Sequence, residues 1–151
     1  MSKLLFSLIL GAVAATSLPA HAQFSKPEDA IKYRQSAYTI MGAQMSRIFA
    51  ELKSPTPNIQ AIQRSAGIVD FVSALPGEGY IPGSEKGGNP PTRAKAEAFT
   101  DPKVRELGRE MRTQVIKLNE VAKTGDVAAI RTQFQATAKT CDNCHDDFRN
   151  K

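Results

Sequence analysis

Apolar residues recur along most of this chain at steps of three, four and seven, the spacing of one face of an amphipathic helix. Strand-like alternation is absent over any useful length. A first stripe runs through Ile31, Tyr38, Met41, Met45, Ile48 and Leu52. Ser25 and Glu28 form a capping-box pair ahead of it, Pro27 suits its first turn, and Pro55 with Pro57 ends it. A second helix is expected after Asn58 as N-cap, with Ile59, Ile62, Ala66, Val69 and Val72 on one face and Leu75-Pro76 closing it. Residues 76–93 read as a glycine- and proline-rich loop, long for a compact domain and therefore a candidate cover or binding segment. A third helix should start at Asp101-Pro102 and bury Val104, Leu107, Met111, Val115, Leu118 and Val121 or Ala122. Gly125 stops it. Asp126 caps a fourth, whose stripe is Val127, Ile130, Phe134, Ala138, Cys141, His145 and Phe148. The turn between these two helices is so short that they should be antiparallel neighbours, and the pattern as a whole predicts an all-α, antiparallel up-down four-helix bundle.

The first residues do not fit that bundle. Lys3 precedes an apolar run from Leu4 to Ala15, and Ala20-His21-Ala22 follows, which is the form of a cleaved secretory signal over residues 1–22. The run is too short to span a bilayer comfortably, so no membrane anchor is expected in the mature form. The functional domain is then residues 23–151, exported to the periplasm. Across 151 residues, 20 Lys+Arg face 15 Asp+Glu, and 41% of positions are hydrophobic, enough for one packed domain. The basic excess has no cluster and does not point to nucleic acid.

Export sharpens the chemistry. His21 leaves with the signal, so the mature chain keeps His145 as its one histidine, beside Cys141 and Cys144. This excludes a three-histidine zinc enzyme, a Ser-His-Asp triad elsewhere in the chain and a multi-disulfide scaffold. Cys141-Asp142-Asn143-Cys144-His145 is C-x-x-C-H, the attachment signal for c-type haem. Two thioethers tie the macrocycle to the cysteines, and the adjacent histidine reaches the iron. A dithiol redox site wants a βαβ unit that is not visible, a disulfide between such close cysteines closes almost no loop, and zinc wants a fourth ligand such as Asp147. Haem c, one per chain, is the expected cofactor, with His145 its metal ligand.

Arg34 and Tyr38 fall in the inward stripe of the first helix, where Ile or Leu would be ordinary. A buried arginine needs a partner, and haem propionates would supply one; otherwise it snorkels to water from the stripe edge. Tyr38 reads either as a core aromatic or as a steric screen over the distal side of a haem.

The motif sits near the C-terminus of an all-helical exported chain that opens Lys26-Pro27-Glu28-Asp29-Ala30-Ile31-Lys32-Tyr33-Arg34-Gln35. Leu75-Pro76 ends its second helix, and Phe148-Arg149 follows the histidine. In this combination the chain resembles class II cytochrome c, and most of all cytochrome c′. The resemblance implies a four-helix bundle with one covalent haem. In one branch of that family a methionine four residues after Arg34 completes a six-coordinate, low-spin iron. Here that position is Tyr38, which implies a five-coordinate, high-spin iron. Such a protein binds nitric oxide and carbon monoxide in an apolar distal pocket and cycles one electron with a redox partner the sequence does not identify. Its link to nitric oxide tolerance and its homodimer, formed through the first two helices where Gly42 and Ala43 permit close approach, are carried over in the same way. So are Arg149, beside the proximal histidine, and Tyr80, in the wall of the distal pocket. Two other functions remain open. Met41, Met45 or Met111 as sixth ligand would make a plain electron carrier, although each also reads as core filler. A peroxidase would want a distal base, and the mature chain has no second histidine to serve. No enzymatic activity is expected.

Overall fold

The computed structural model describes residues 23–151, and the expected export segment lies outside the described residues. Four helices carry the fold: α1 Pro27–Lys53, α2 Ile59–Val72, α3 Pro102–Thr124 and α4 Val127–Phe148. Two single 3-10 turns, Pro76–Gly79 and Ala96–Phe99, interrupt the long α2–α3 connection. Among the described residues no strand forms; an isolated antiparallel bridge joins Ala94 to Arg149. The helices pack in chain order, α1 on α2, α2 on α3 and α3 on α4, and α4 returns only sparsely to α1. This is the four-helix bundle that the periodicity predicts.

Three of the expected caps form. Asn58 Oδ1 accepts from the Ala61 amide at 3.0 Å, Asp101 Oδ1 from Lys103 at 2.8 Å, and Asp126 Oδ1 from both Ala128 and Ala129. Gly125 ends α3 in the left-handed region, φ 74°, where a side chain would be strained. The Ser25–Glu28 capping box does not form. Pro27 takes the first helical position, so Lys26 is the N-cap and makes no side-chain cap bond. Glu28 then lies one residue short of the place a capping box needs. With Asp29 it still favours the positive helix end. α2 ends at Val72, before Leu75-Pro76, which opens the first 3-10 turn instead.

The core is divided. The larger cluster, Ile48, Leu52, Ile62, Ala66, Leu118, Ala122 and Ile130, fills the end of the bundle that holds the α1–α2 and α3–α4 turns. The smaller, Ala37, Met41 and Val72 with Leu75 and Met111 against it, lies at the other end. Toward that end Val104, Leu107 and Met111 of α3 are only half-buried.

The α4 stripe corrects the pattern reading. Its deeply buried positions are Ile130, Gln133, Thr137, Thr140 and Phe148, while Phe134, Ala138 and Cys141 are half-buried and His145 is exposed. Polar side chains face α3 because partners await them. Gln133 Nε2 donates to Gln114 Oε1 at 2.8 Å, and Thr137 Oγ1 donates to the Gln114 carbonyl at 3.1 Å. The apolar stripe turns toward α1 instead, where Phe134 stacks on Phe49 with centroids 5.9 Å apart.

Three consecutive residues of α1 fasten the long connection. Tyr33 Oη donates to Glu78 Oε2 at 2.7 Å, Arg34 reaches Gly79, Ser84 and Thr92, and Gln35 Nε2 donates to the Pro90 and Pro91 carbonyls. Gly79 is needed for this approach, since a Cβ there would stand 2.8 Å from the Ala30 carbonyl oxygen. The far end of the connection is tied to the end of α4: Lys95 N donates to the Phe148 carbonyl at 2.9 Å and Asn150 N to the Arg93 carbonyl at 2.8 Å. The expected cover is thus a fixed wall between α1 and the last turn of α4.

Candidate functional site

The C-x-x-C-H run forms the last two turns of α4, so Cys141 and His145 stand one turn apart on one face. Both cysteines are free and half-buried. Burial pushes both thiols up, helped at Cys141 by Asp142 and at Cys144 by Asp147, so each stands as a neutral thiol. Each sulfur would hold a macrocycle's vinyl carbon as a thioether. Although His145 keeps much of its surface accessible, the protein around its ring desolvates the imidazole and, with the Arg149 and Arg93 charges and against Asp142 and Asp146, holds it below its ordinary pKa. The ring is therefore neutral at neutral pH and has a lone pair for a metal. Among the described residues no three His, Cys, Asp or Glu side chains cluster to hold a metal ion on their own. The donor set suits an iron that arrives within a macrocycle.

The α1 side of the site is aromatic and polar. Tyr38 and Tyr80 place their hydroxyls 3.3 Å apart. Tyr38 keeps 40% of its surface accessible. Even so, enough protein surrounds its hydroxyl that burial, reinforced by Tyr80, raises it well above the ordinary phenol value of 10.0. Burial raises Tyr80 as well. Cys144 adds to the rise of both phenols. Tyr80 also packs on Phe99, centroids 5.1 Å apart. The expectation of an apolar pocket on this side therefore needs correction: its wall carries two hydroxyls.

Arg34 lies beneath them, 2% exposed. Its guanidinium carbon is 5.2 Å from the Tyr80 ring centroid and 5.1 Å from that of Phe99. Nη1 donates to the Gly79 carbonyl at 2.7 Å and to Ser84 Oγ at 2.9 Å; Nη2 donates to the Ser84 carbonyl and to Thr92 Oγ1. Arg34 does not snorkel, and its partners in the structure are neutral groups of the loop. Burial lowers its pKa, though a guanidinium keeps its charge.

His145 opens on the other side into a groove of about 660 Å³ lined by Arg93, Lys95, Asp146, Arg149 and Asn150. Arg149 does lie beside the histidine, as its place in the sequence suggests. It is extended (φ −117°) as the C-cap of α4 and is not a further helical residue, its amide donating to the His145 carbonyl at 3.2 Å. Sequence reasoning missed Arg93, Phe99, Ser84 and Thr92. The single clue was their place on a connection too long to be a simple turn. Met41 is buried in the smaller cluster, Met111 packs against it, and Met45 packs against the larger one.

The residues present fit a covalent haem. Two neutral thiols and a neutral imidazole lie on one helix, at the bundle end where Leu75, Val104, Leu107 and Met111 are half-covered apolar surface.

Comparison with known proteins agrees with this. Residues 29–149 match a protein-family model described as Cytochrome C′. The cytochrome c′ of Rhodocyclus tenuis is 39% identical over 130 residues, which span 84% of this chain and 98% of that protein. A solved cytochrome c′ described as having an unusual ligand-controlled dimer dissociation superposes with a TM-score of 0.79 at 32% identity, covering 83% of this chain and 98% of that one. A ferrous variant of cytochrome c′ from Alcaligenes xylosoxidans, with bound NO, superposes with a TM-score of 0.77 at 31% identity, covering 85% and 99%.

Proposed function

The chain belongs to the cytochrome c′ family, and from that premise we propose that it is an exported c-type haem protein whose iron keeps one axial position open. Haem, when bound, supplies the iron that takes a diatomic ligand and one electron. Cys141 and Cys144 would hold the macrocycle as thioethers, and the His145 imidazole, kept neutral by burial and then by Arg149 and Arg93, would ligate the iron. Tyr38 screens the opposite side. The Arg34 bonds to Gly79, Ser84 and Thr92 keep that wall in place.

One observation carries the open position. Four residues after Arg34 the first helix carries Tyr38 and no methionine, and Met41, Met45 and Met111 are packed into apolar clusters. Nitric oxide and carbon monoxide are the proposed ligands, and the NO-bound relative supports that reading. The protein is read as a gas binder and one-electron carrier and not as an enzyme, since no distal histidine is available for peroxide cleavage. Helices α1 and α2 expose Ile40, Ile68 and Phe71 on their outer faces, which supports a homodimer. Periplasmic localisation rests on the signal-like residues 1–22.

Titration of the ferrous, haem-loaded protein with nitric oxide tests the reading. Saturable binding is expected, and a Met41→Leu variant should keep the unmodified ferric spectrum. A low-spin ferric spectrum that disappears in Met41→Leu would make the protein a methionine-ligated carrier.

A further inference from the structure

We propose that the cleft between α1 and α4, at the end of the bundle away from the C-x-x-C-H run, is a binding site for a small aromatic carboxylate. Phe49, Leu52 and Phe134 form its apolar floor, and Lys53 and Arg131 carry the charge at its rim. The cleft is separate from the haem attachment run, since Arg131 precedes Cys141 by ten residues of α4, about 15 Å along the helix.

The cleft exists because α4 returns to α1 only sparsely. Its volume is about 400 Å³. Within it the Phe49 and Phe134 rings stack with centroids 5.9 Å apart and planes 17° from parallel. Leu52 is buried beneath them and Phe134 is half-buried, yet Phe49 keeps 50% of its surface accessible. A flat aromatic surface left this open is apolar area that another ring can cover, and offset stacking is an arrangement two such rings favour.

Charge selects an acid as the occupant. Lys53 Nζ lies over Phe49, 4.9 Å from the ring centroid, and has no hydrogen-bond or ion-pair partner among the described residues. Arg131 gives Nη2 to the Leu52 carbonyl, and its remaining N–H groups have no acceptor among the described residues. The acidic groups of this end are engaged elsewhere. Glu51 Oε2 accepts from the Asn58 amide, and Asp126 caps α4. Two cations beside an aromatic floor, with no carboxylate of their own, complement a ligand that brings one. A ring laid on Phe49 takes the place of the Lys53 ammonium, and the flexible lysine then meets the carboxylate at the rim with Arg131 as second donor. An aliphatic acid lacks the flat face, and a neutral arene leaves both cations unpaired.

Isothermal titration of the haem-loaded protein with 2-naphthoate, at neutral pH and low salt, tests the site. Saturable binding of one molecule per chain is expected, with the haem absorption spectrum unchanged. Neutral 2-naphthylmethanol should bind about fivefold more weakly or worse, for want of the charged contacts. Lys53→Gln, an exposed change that removes no core packing, should weaken naphthoate about threefold and leave the haem spectrum as it was. Phe49→Leu, which keeps apolar bulk and loses the ring, should weaken it by about threefold or more. The aromatic carboxylate site is overturned by an absence of saturable binding, by equal affinity for the neutral compound, by an affinity that either variant leaves unchanged, or by binding that shifts the haem spectrum. Tighter binding of octanoate than of naphthoate would overturn it as well, by making the cleft a groove for acyl chains.

Discussion

Arg34 is the residue on which most of the site wall depends. An arginine in an apolar stripe is a readable anomaly, because a buried charge demands partners. What the sequence does not disclose is who they are. Two of the four acceptors are main-chain carbonyls, at Gly79 and Ser84, and any residue has one. Arg34→Leu should therefore unbind the loop as well as leave its carbonyls unpaired. A loss of about 3 kcal/mol is expected in denaturant unfolding of the haem-loaded protein. Tyr38 was readable as an anomaly in the α1 stripe, but not as one half of a hydroxyl pair, since Tyr80 lies far along the chain on an irregular segment. Its titration follows from its surroundings. Burial and Tyr80 raise the phenol, Cys144 adds to this, and Arg34 opposes it weakly. A group raised above 10.0 stays neutral below that pH and ionises only above it. No tyrosinate–iron band should appear as the ferric protein is taken from neutral pH to 10.0. Its appearance below that value would place a phenolate on the iron.

The elements themselves were largely legible, because helix starts and stops are written in local chemistry. Asn58, Asp101, Asp126 and Gly125 all act where the pattern places them. The failures have local causes too. Pro27 fixes the first turn of α1 and moves the cap from Ser25 to Lys26. In α4 a reading by hydropathy takes the apolar stripe for the core side. Two faces of that helix differ: Gln133, Thr137 and Thr140 are buried, while Ala138 and Cys141 are half-buried and His145 is exposed. Inward polar groups are tolerated because Gln114 accepts from them. Gln44 of α1 shows the opposite case. It is buried, and its Oε1 has no hydrogen-bond partner. Replacing it with leucine should stabilise the protein by about 1 kcal/mol. Thermal unfolding of Gln44→Leu is expected to move upward, and a fall would show that the amide oxygen has a partner after all.

At the scale of the molecule, the divided core explains why one end is available for chemistry. The larger cluster ties α1 to α4 through Phe49–Phe134 and through Arg131, whose Nη2 donates to the Leu52 carbonyl at 2.6 Å. The other end has the smaller cluster, and there the helix pair α1 and α4 is bridged by the loop and not by packing. No helix among the described residues is long and apolar enough to cross a membrane. The apolar side chains left outside, Phe71 at 74% exposure with Ile40 and Ile68, suit a second copy. Phe71→Glu should shift the sedimentation of the haem-loaded protein to that of a monomer and leave its spectrum unaltered. An unchanged sedimentation coefficient, at the dimer value, would move the contact elsewhere. The account as a whole turns on the axial position opposite His145. The ferric electron paramagnetic resonance spectrum of the haem-loaded protein reads it most directly. A high-spin signal is the predicted result; a low-spin signal with an optical methionine–iron band would contradict it.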